Sequence, residues 1–222
     1  VRNMRSVTQA QVLTYGVHES ADIRIIKCEL DEMARASVSA TTPWGTVSWA
    51  MSVPGAHMAL NAAAAIAVSG VSGVSIHIAA AALEQSFVSP MRMQVITTDD
   101  GMTIINDAYN ANPASMRAAI DVLANQDCEK ILIIGDMGEL GKKEVEYHKS
   151  IGAYIKKNKI QDVVGTGKLT KHVIDNCKGN AKWFEDKKTL IRYVKTKIKK
   201  NSCVLIKGSR FMKMEEVVEA LT

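Results

Sequence analysis

The sequence predicts an α/β protein in two parts: antiparallel strands followed by two helices, then strands and helices that alternate to build a mainly parallel sheet. Three observations carry this reading. Partly alternating, β-branched runs fill residues 11–53 before any helical spacing begins. Short apolar runs and helical segments take turns after residue 113, the pattern of βαβ units. Between these patterns stands Ser89-Pro90, which sets the expected domains at residues 1–90 and 91–222.

In the first part, strands are expected at residues 11–15, 23–30, 35–41 and 46–53, with Thr42-Pro43-Trp44-Gly45 as the turn between the last two. Helices follow at 56–68 and 75–86, separated by the breaker Gly70-Val71-Ser72-Gly73. The second part opens with strands 93–97 and 102–105 around Thr98-Asp99-Asp100-Gly101, a hairpin signal because Asp-Gly accepts positive φ. Helices are expected at 113–125, 143–157, 169–176, 187–199 and 212–221, and strands at 130–134, 162–164, 182–184 and 203–206. Tyr147, Ile151, Tyr154 and Ile155 form one apolar stripe; Phe211, Met214, Val217, Val218 and Leu221 form another.

At 222 residues, 47% hydrophobic and 23% charged, the chain is long enough for one large or two small cores. No apolar run is long enough to span a bilayer and no signal peptide is evident, so a cytoplasmic protein without a membrane partner is expected. Cys28, Cys128, Cys177 and Cys203 are widely spaced, which predicts reduced thiols, no disulfide framework and no metal site. The net charge of +5 gathers in the C-terminal half without an interleaved aromatic or glycine-rich motif, so it reads as a solvated lysine face and not as a nucleic-acid surface.

The most informative stretch is Asn106-Asp107-Ala108-Tyr109-Asn110-Ala111-Asn112-Pro113, where an apolar strand meets a polar turn and then a helix. Asn112 suits an N-cap and Pro113 the first helical position; Met116, Ile120 and Leu123 then share one face. Asp107, Tyr109 and Asn110 are left at the strand's carboxyl end, which in open α/β sheets is the ligand crevice. Downstream, Gly135-Asp136-Met137-Gly138-Glu139-Leu140-Gly141 and Lys207-Gly208-Ser209-Arg210 follow later strands in the same manner. The first of these fails G-x-G-x-x-G, which counts against a dehydrogenase. No segment matches G-x-x-x-x-G-K-[ST], so this chain lacks a phosphate-cradling loop.

With Pro54-Gly55-Ala56-His57 and Asn61, these motifs resemble, in order, those of the Mur ligases. The Asp-Ala-Tyr-Asn-Ala-Asn-Pro form is similar to that of members which add a dipeptide. The resemblance implies a C-terminal Rossmann-like domain preceded by the C-terminal portion of a central ATP-binding domain. It further implies ATP-dependent joining of D-alanyl-D-alanine to UDP-N-acetylmuramoyl tripeptide through an acyl phosphate, with ATP and Mg2+ as cofactors held mainly outside this chain. On that reading the chain is a fragment, inactive alone and monomeric. The alternatives are a sister Mur ligase adding one amino acid and a non-catalytic nucleotide- or partner-binding α/β module.

Candidate residues follow from chemistry and resemblance together. Asp107 can accept ribose hydroxyls at a strand end, or merely bond backbone amides in its turn. Tyr109 and Asn110 are weaker nucleotide candidates beside it. His57 and Asn61 share one helix face, and the resemblance places them near the nucleotide, although Met58 stands where the family has asparagine. Arg92 resembles an arginine that reaches nucleotide on domain closure, its planar fork suiting a phosphate or a base face. For substrate, Asp136 and Glu139 can position an incoming amine, or Glu139 can simply charge a helix start. Lys207 and Arg210 can hold a substrate carboxylate. No serine or cysteine nucleophile can be argued from spacing, which fits a ligase.

Overall fold

The computed structural model describes residues 7–85 and 89–222. By contacts the chain divides into two compact units, residues 1–87 and 88–222.

The first unit is a four-stranded sheet in the order β1-β2-β3-β4, with β1 at Tyr15–Gly16, β2 at Ile23–Leu30, β3 at Arg35–Thr42 and β4 at Gly45–Pro54. The last three strands are antiparallel neighbours, as their alternation requires. The expected strand at 11–15 is reduced to a two-residue stub that runs parallel to β2. The Asp22 carboxylate accepts the Thr14 N–H (2.8 Å) and the Thr14 hydroxyl (2.6 Å), so the Thr14 donors are satisfied locally while its carbonyl accepts the Ile23 N–H (2.9 Å). Helices α1 (His57–Val71) and α2 (Ile76–Glu84) pack on one face of this sheet. Their alanines 59, 62, 63, 67 and 80 are buried with Ile66 against Val38, Val47 and Trp49. Small residues let the helices approach the strands closely.

α1 runs through Gly70, against the expectation of a breaker there. A Cβ at Gly70 would lie 2.3 Å from the Trp44 indole, so this glycine admits the ring of the β3–β4 turn, and the chain turns only at Gly73, where φ is +79°. The expected end of α2 at Ser86 lies outside the described residues.

The second unit is a six-stranded sheet, order β5-β6-β10-β7-β8-β9. Its strands are β5 (Gln94–Thr97), β6 (Thr103–Asp107), β7 (Glu129–Ile134), β8 (Asp162–Thr166), β9 (Asn180–Phe184) and β10 (Ser202–Lys207). β5 pairs antiparallel to β6 in the expected hairpin; every other pairing is parallel. Helices α3 (Pro113–Ala124), α4 (Glu144–Lys157) and α5 (Thr170–Asn176) adjoin one another, as do α6 (Lys187–Lys195) and α7 (Glu215–Leu221). These two groups cover the sheet, and its central strands are accordingly apolar, with Ile104, Ile133, Val204 and Ile206 in one cluster with Leu190 and Val217.

Two helix boundaries in this unit depart clearly from expectation. α6 stops at Lys195, where the N–H groups of Thr196 and Lys197 turn to the carbonyls of Tyr193 (3.0 Å) and Val194 (2.8 Å), and the Ser202 hydroxyl then accepts the Lys199 N–H (2.9 Å) as the chain enters β10. The last helix begins at Glu215 instead of residue 212, since Lys213 sits at φ +47° after a 3-10 turn over Arg210–Met212. Consequently Phe211, expected in the buried stripe, is 63% exposed. Tyr147 is likewise at the surface, while Ile151 and Ile155 are fully buried. Among the described residues no helix is long and apolar enough to cross a membrane.

Candidate functional site

The carboxyl ends of β6, β10 and β7 lie side by side. Ladder register sets Lys207 opposite Asp107 on one side and Ile134 on the other. Three loops therefore leave the sheet together: 107–112, 135–141 and 208–213. Sequence separations of about a hundred residues collapse to hydrogen-bond distance here, because parallel strands align their ends.

Asp107 is the centre of the arrangement. Lys207 Nζ donates to its Oδ2 at 2.5 Å and to the Asn110 carbonyl at 2.8 Å. The Met93 N–H donates to Oδ1 at 3.1 Å. The Lys207 side chain is 2% exposed and that of Asp107 12%, so the lysine is sealed and the carboxylate keeps an open edge. Ionised carboxylate has about four acceptor positions. Two are used internally, and both the lysine and the backbone amide that use them come from segments far from Asp107 in sequence.

The segment entering this unit is fastened to the same loop. The Tyr109 N–H donates to the Met91 carbonyl (3.0 Å), and the Met91 N–H to Gln94 Oε1 (3.4 Å). Met91 and Met93 adopt φ of +63° and +51°, a left-handed conformation unfavourable for side chains with a Cβ. Between them Arg92 lies over the Tyr109 ring, 4.0 Å from guanidinium carbon to ring centroid. Tyr109 is 41% exposed, so this stacked pair presents a planar, cationic surface beside Asp107.

Ser209 ties the three loops together. Its hydroxyl accepts the Gly138 N–H (2.7 Å) and donates to the Ala111 carbonyl (3.2 Å), while its own N–H donates to the Asp136 carbonyl (2.9 Å). The sequence alone assigns Ser209 no role of its own; a small hydroxyl two residues beyond a buried strand end is the signal that marks it. Asp136 is 7% exposed, and its Oδ1 accepts the N–H groups of Leu169 (3.1 Å) and Thr170 (2.7 Å) and the Thr170 hydroxyl (2.7 Å). It is thus the anchor of the loop before α5. Glu139 is exposed at φ +59° at the tip of its loop. Arg210 pairs with Glu215 (2.7 Å) and reaches the Met91 sulfur (3.7 Å). Asn110 turns its Oδ1 back to the Ala111 N–H (2.8 Å), and Asn112 accepts the Ser115 N–H in a capping box that starts α3.

The structure therefore brings together Asp107, Lys207, Arg92, Tyr109, Asn110, Arg210 and, through Ser209, Asp136. His57 and Asn61 belong to the first unit, on the first turns of α1. Gly55, at φ +114°, leads into that turn, and a Cβ there would lie 2.5 Å from the His57 ring. Asn61 is exposed, and its amide donates to the sulfur of Met58, the residue that departs from the family pattern (3.5 Å).

Comparison with known proteins identifies the family. Residues 91–210 match the family described as Mur ligase, glutamate ligase domain. The UDP-N-acetylmuramoyl-tripeptide--D-alanyl-D-alanine ligase of Bacillus subtilis is 40% identical over 174 residues, covering 75% of this chain and 38% of the relative. The protein of that name from Escherichia coli is 37% identical over 182 residues, covering 81% and 40%. A solved structure of UDP-N-acetylmuramoylalanyl-D-glutamyl-2,6-diaminopimelate--D-alanyl-D-alanyl ligase from Acinetobacter baumannii superposes with a TM-score of 0.88 at 28% identity, over 99% of this chain and 48% of that one. The chain thus spans about two fifths of the length of the curated relatives it matches. With that family match across more than half its length, and the strand-end motifs assembled in one crevice, this chain belongs to the Mur ligase family.

Proposed function

We propose that this chain is part of an ATP-dependent ligase that joins D-alanyl-D-alanine to UDP-N-acetylmuramoyl tripeptide, a step in building the peptidoglycan precursor. The observation that carries the proposal is the 40% identity over 174 residues with a relative bearing that name. In this reading residues 1–90 are the C-terminal portion of the central ATP-binding domain and residues 91–222 the C-terminal domain, in agreement with the family match over 91–210.

In such a ligase ATP activates the tripeptide's terminal carboxylate as an acyl phosphate, which the dipeptide amine attacks. The roles of this chain are positioning and charge complementarity. Asp107 offers its open carboxylate edge to the ribose hydroxyls. Arg92, held flat on Tyr109, faces a base or a phosphate with its guanidinium. Glu139, carried outward at its loop tip, suits the ammonium of the incoming dipeptide, and Arg210 its carboxylate. His57 and Asn61 are the candidates for nucleotide contact within the first unit. Among the described residues no group of three or more His, Cys, Asp or Glu side chains converges.

The test is phosphate release by the full-length protein with ATP, magnesium and UDP-N-acetylmuramoyl tripeptide, comparing D-alanyl-D-alanine with single amino acids. Release that requires the dipeptide supports the reading. Release with a single amino acid reassigns the chain to a sister ligase, and none with any amine removes the ligase assignment. Asp107→Asn is expected to raise the KM for ATP about 10-fold, the effect of weakening hydrogen bonds to a charged group by roughly 1.5 kcal/mol.

A further inference from the structure

We propose that Lys207 is a positioning residue for the nucleotide, acting through Asp107, and not a ligand of substrate carboxylate. The inference rests on the reading that the nucleotide lies at the carboxyl edge of this sheet.

Lys207 is the largest of the fully buried side chains, an unusual place for an ammonium. A buried charge persists only where it is paired and hydrogen-bonded. Here two of its three N–H donors are met from inside the protein, by Asp107 Oδ2 at 2.5 Å and the Asn110 carbonyl at 2.8 Å. To meet a substrate carboxylate the ammonium would have to emerge from a side chain that is 2% exposed.

The same contacts determine how Asp107 is presented. Lys207 holds Oδ2 and the Met93 N–H holds Oδ1, so the plane of the carboxylate is fixed from two sides. Acceptor positions remain on the carboxylate, whose side chain keeps 12% exposure. The lysine also fixes the Asn110 carbonyl, which sets the course of the loop between Asp107 and the Asn112 cap. Strand register supports the arrangement, because Lys207 and Asp107 are direct ladder partners and are the last residues of their strands. Without the lysine, a carboxylate that is mostly enclosed loses the cation and the donor that fix its Oδ2, so it no longer presents one edge to ribose hydroxyls.

The experiment compares Lys207→Met with the charge-neutral double variant Asp107→Asn/Lys207→Met in the full-length ligase, reading the KM for ATP and for D-alanyl-D-alanine separately, with thermal unfolding as a control. The expected result is a KM for ATP raised about 10-fold or more in Lys207→Met, with the KM for the dipeptide unchanged in both variants. If the single variant fails to fold while the double variant folds, the lysine's task is to balance Asp107, which also supports the proposal provided the dipeptide KM of the double variant is unchanged. A raised dipeptide KM in either variant overturns it, as does a folded Lys207→Met with normal ATP affinity beside a double variant that is impaired. A double variant with both KM values unchanged has a different meaning, since it removes the nucleotide-site reading itself.

Discussion

Single side chains at the crevice are held by partners distant in sequence, and their removal has calculable consequences. His148 is fully buried; its Nε2 accepts the Met137 N–H (3.0 Å) and its Nδ1 donates to the Glu144 carbonyl (2.7 Å). It therefore fastens the loop 135–141 to the start of α4 as a neutral imidazole. His148→Leu leaves the buried Met137 N–H without its acceptor and is expected to lower stability by about 1–3 kcal/mol, read by urea unfolding. Gly55→Ala confronts both a φ of +114° and the His57 ring at 2.5 Å, and about 1–3 kcal/mol of destabilisation is expected in the same assay. At this scale the sequence was partly legible. Asp107 stood out because a carboxylate at a strand end is a recognisable pattern, whereas the facts that Lys207 faces inward and that Met93 supplies an amide depend on which strands become neighbours.

Elements were read best where local chemistry alone decides them. The start of α3 is the clearest case: Asn112, Pro113 and Ser115 form a capping box with proline at the first helical position, all from consecutive residues. Asn112→Ala is expected to cost about 1 kcal/mol by thermal or urea unfolding, a modest loss because the helix is also held by buried Met116, Ile120 and Leu123. Elements were misread where a tertiary contact overrides local preference. Gly70 looked like a helix stop and is a seat for Trp44. α6 was expected to reach residue 199, but after Lys195 the N–H groups of Thr196 and Lys197 turn to carbonyls three residues back and the helix closes. The segment at 11–15 had strand composition, yet only its last residue enters a ladder, while the Thr14 N–H and hydroxyl are taken by Asp22.

Across the whole molecule each unit has its own apolar cluster, and the four cysteines report on that burial. Burial pushes the thiols of Cys177 and Cys203 up from 9.0 to about 12, and raises that of Cys128 as well. Cys28 is exposed on β2. Alkylation at pH 8 is therefore expected to label Cys28 first, with Cys177 and Cys203 reacting only on unfolding, as peptide mapping would show. The sign of the linkage follows: above pH 9 the unfolded chain releases thiol protons that the folded chain retains, so stability falls as the pH climbs from about 9 towards 12. Midpoints of urea unfolding across that range would check it. By itself the sequence determined the two-part α/β organisation, the hairpin opening the second unit, the α3 cap and the family motifs, since periodicity, capping and turn chemistry act over a few neighbouring residues. Only the tertiary structure decided the strand order, which sets β10 between β6 and β7. That order joins Asp107 to Lys207 and Ser209 to Gly138 and Ala111, because partners in a parallel sheet are chosen by global packing and no local pattern encodes which strand ends will meet.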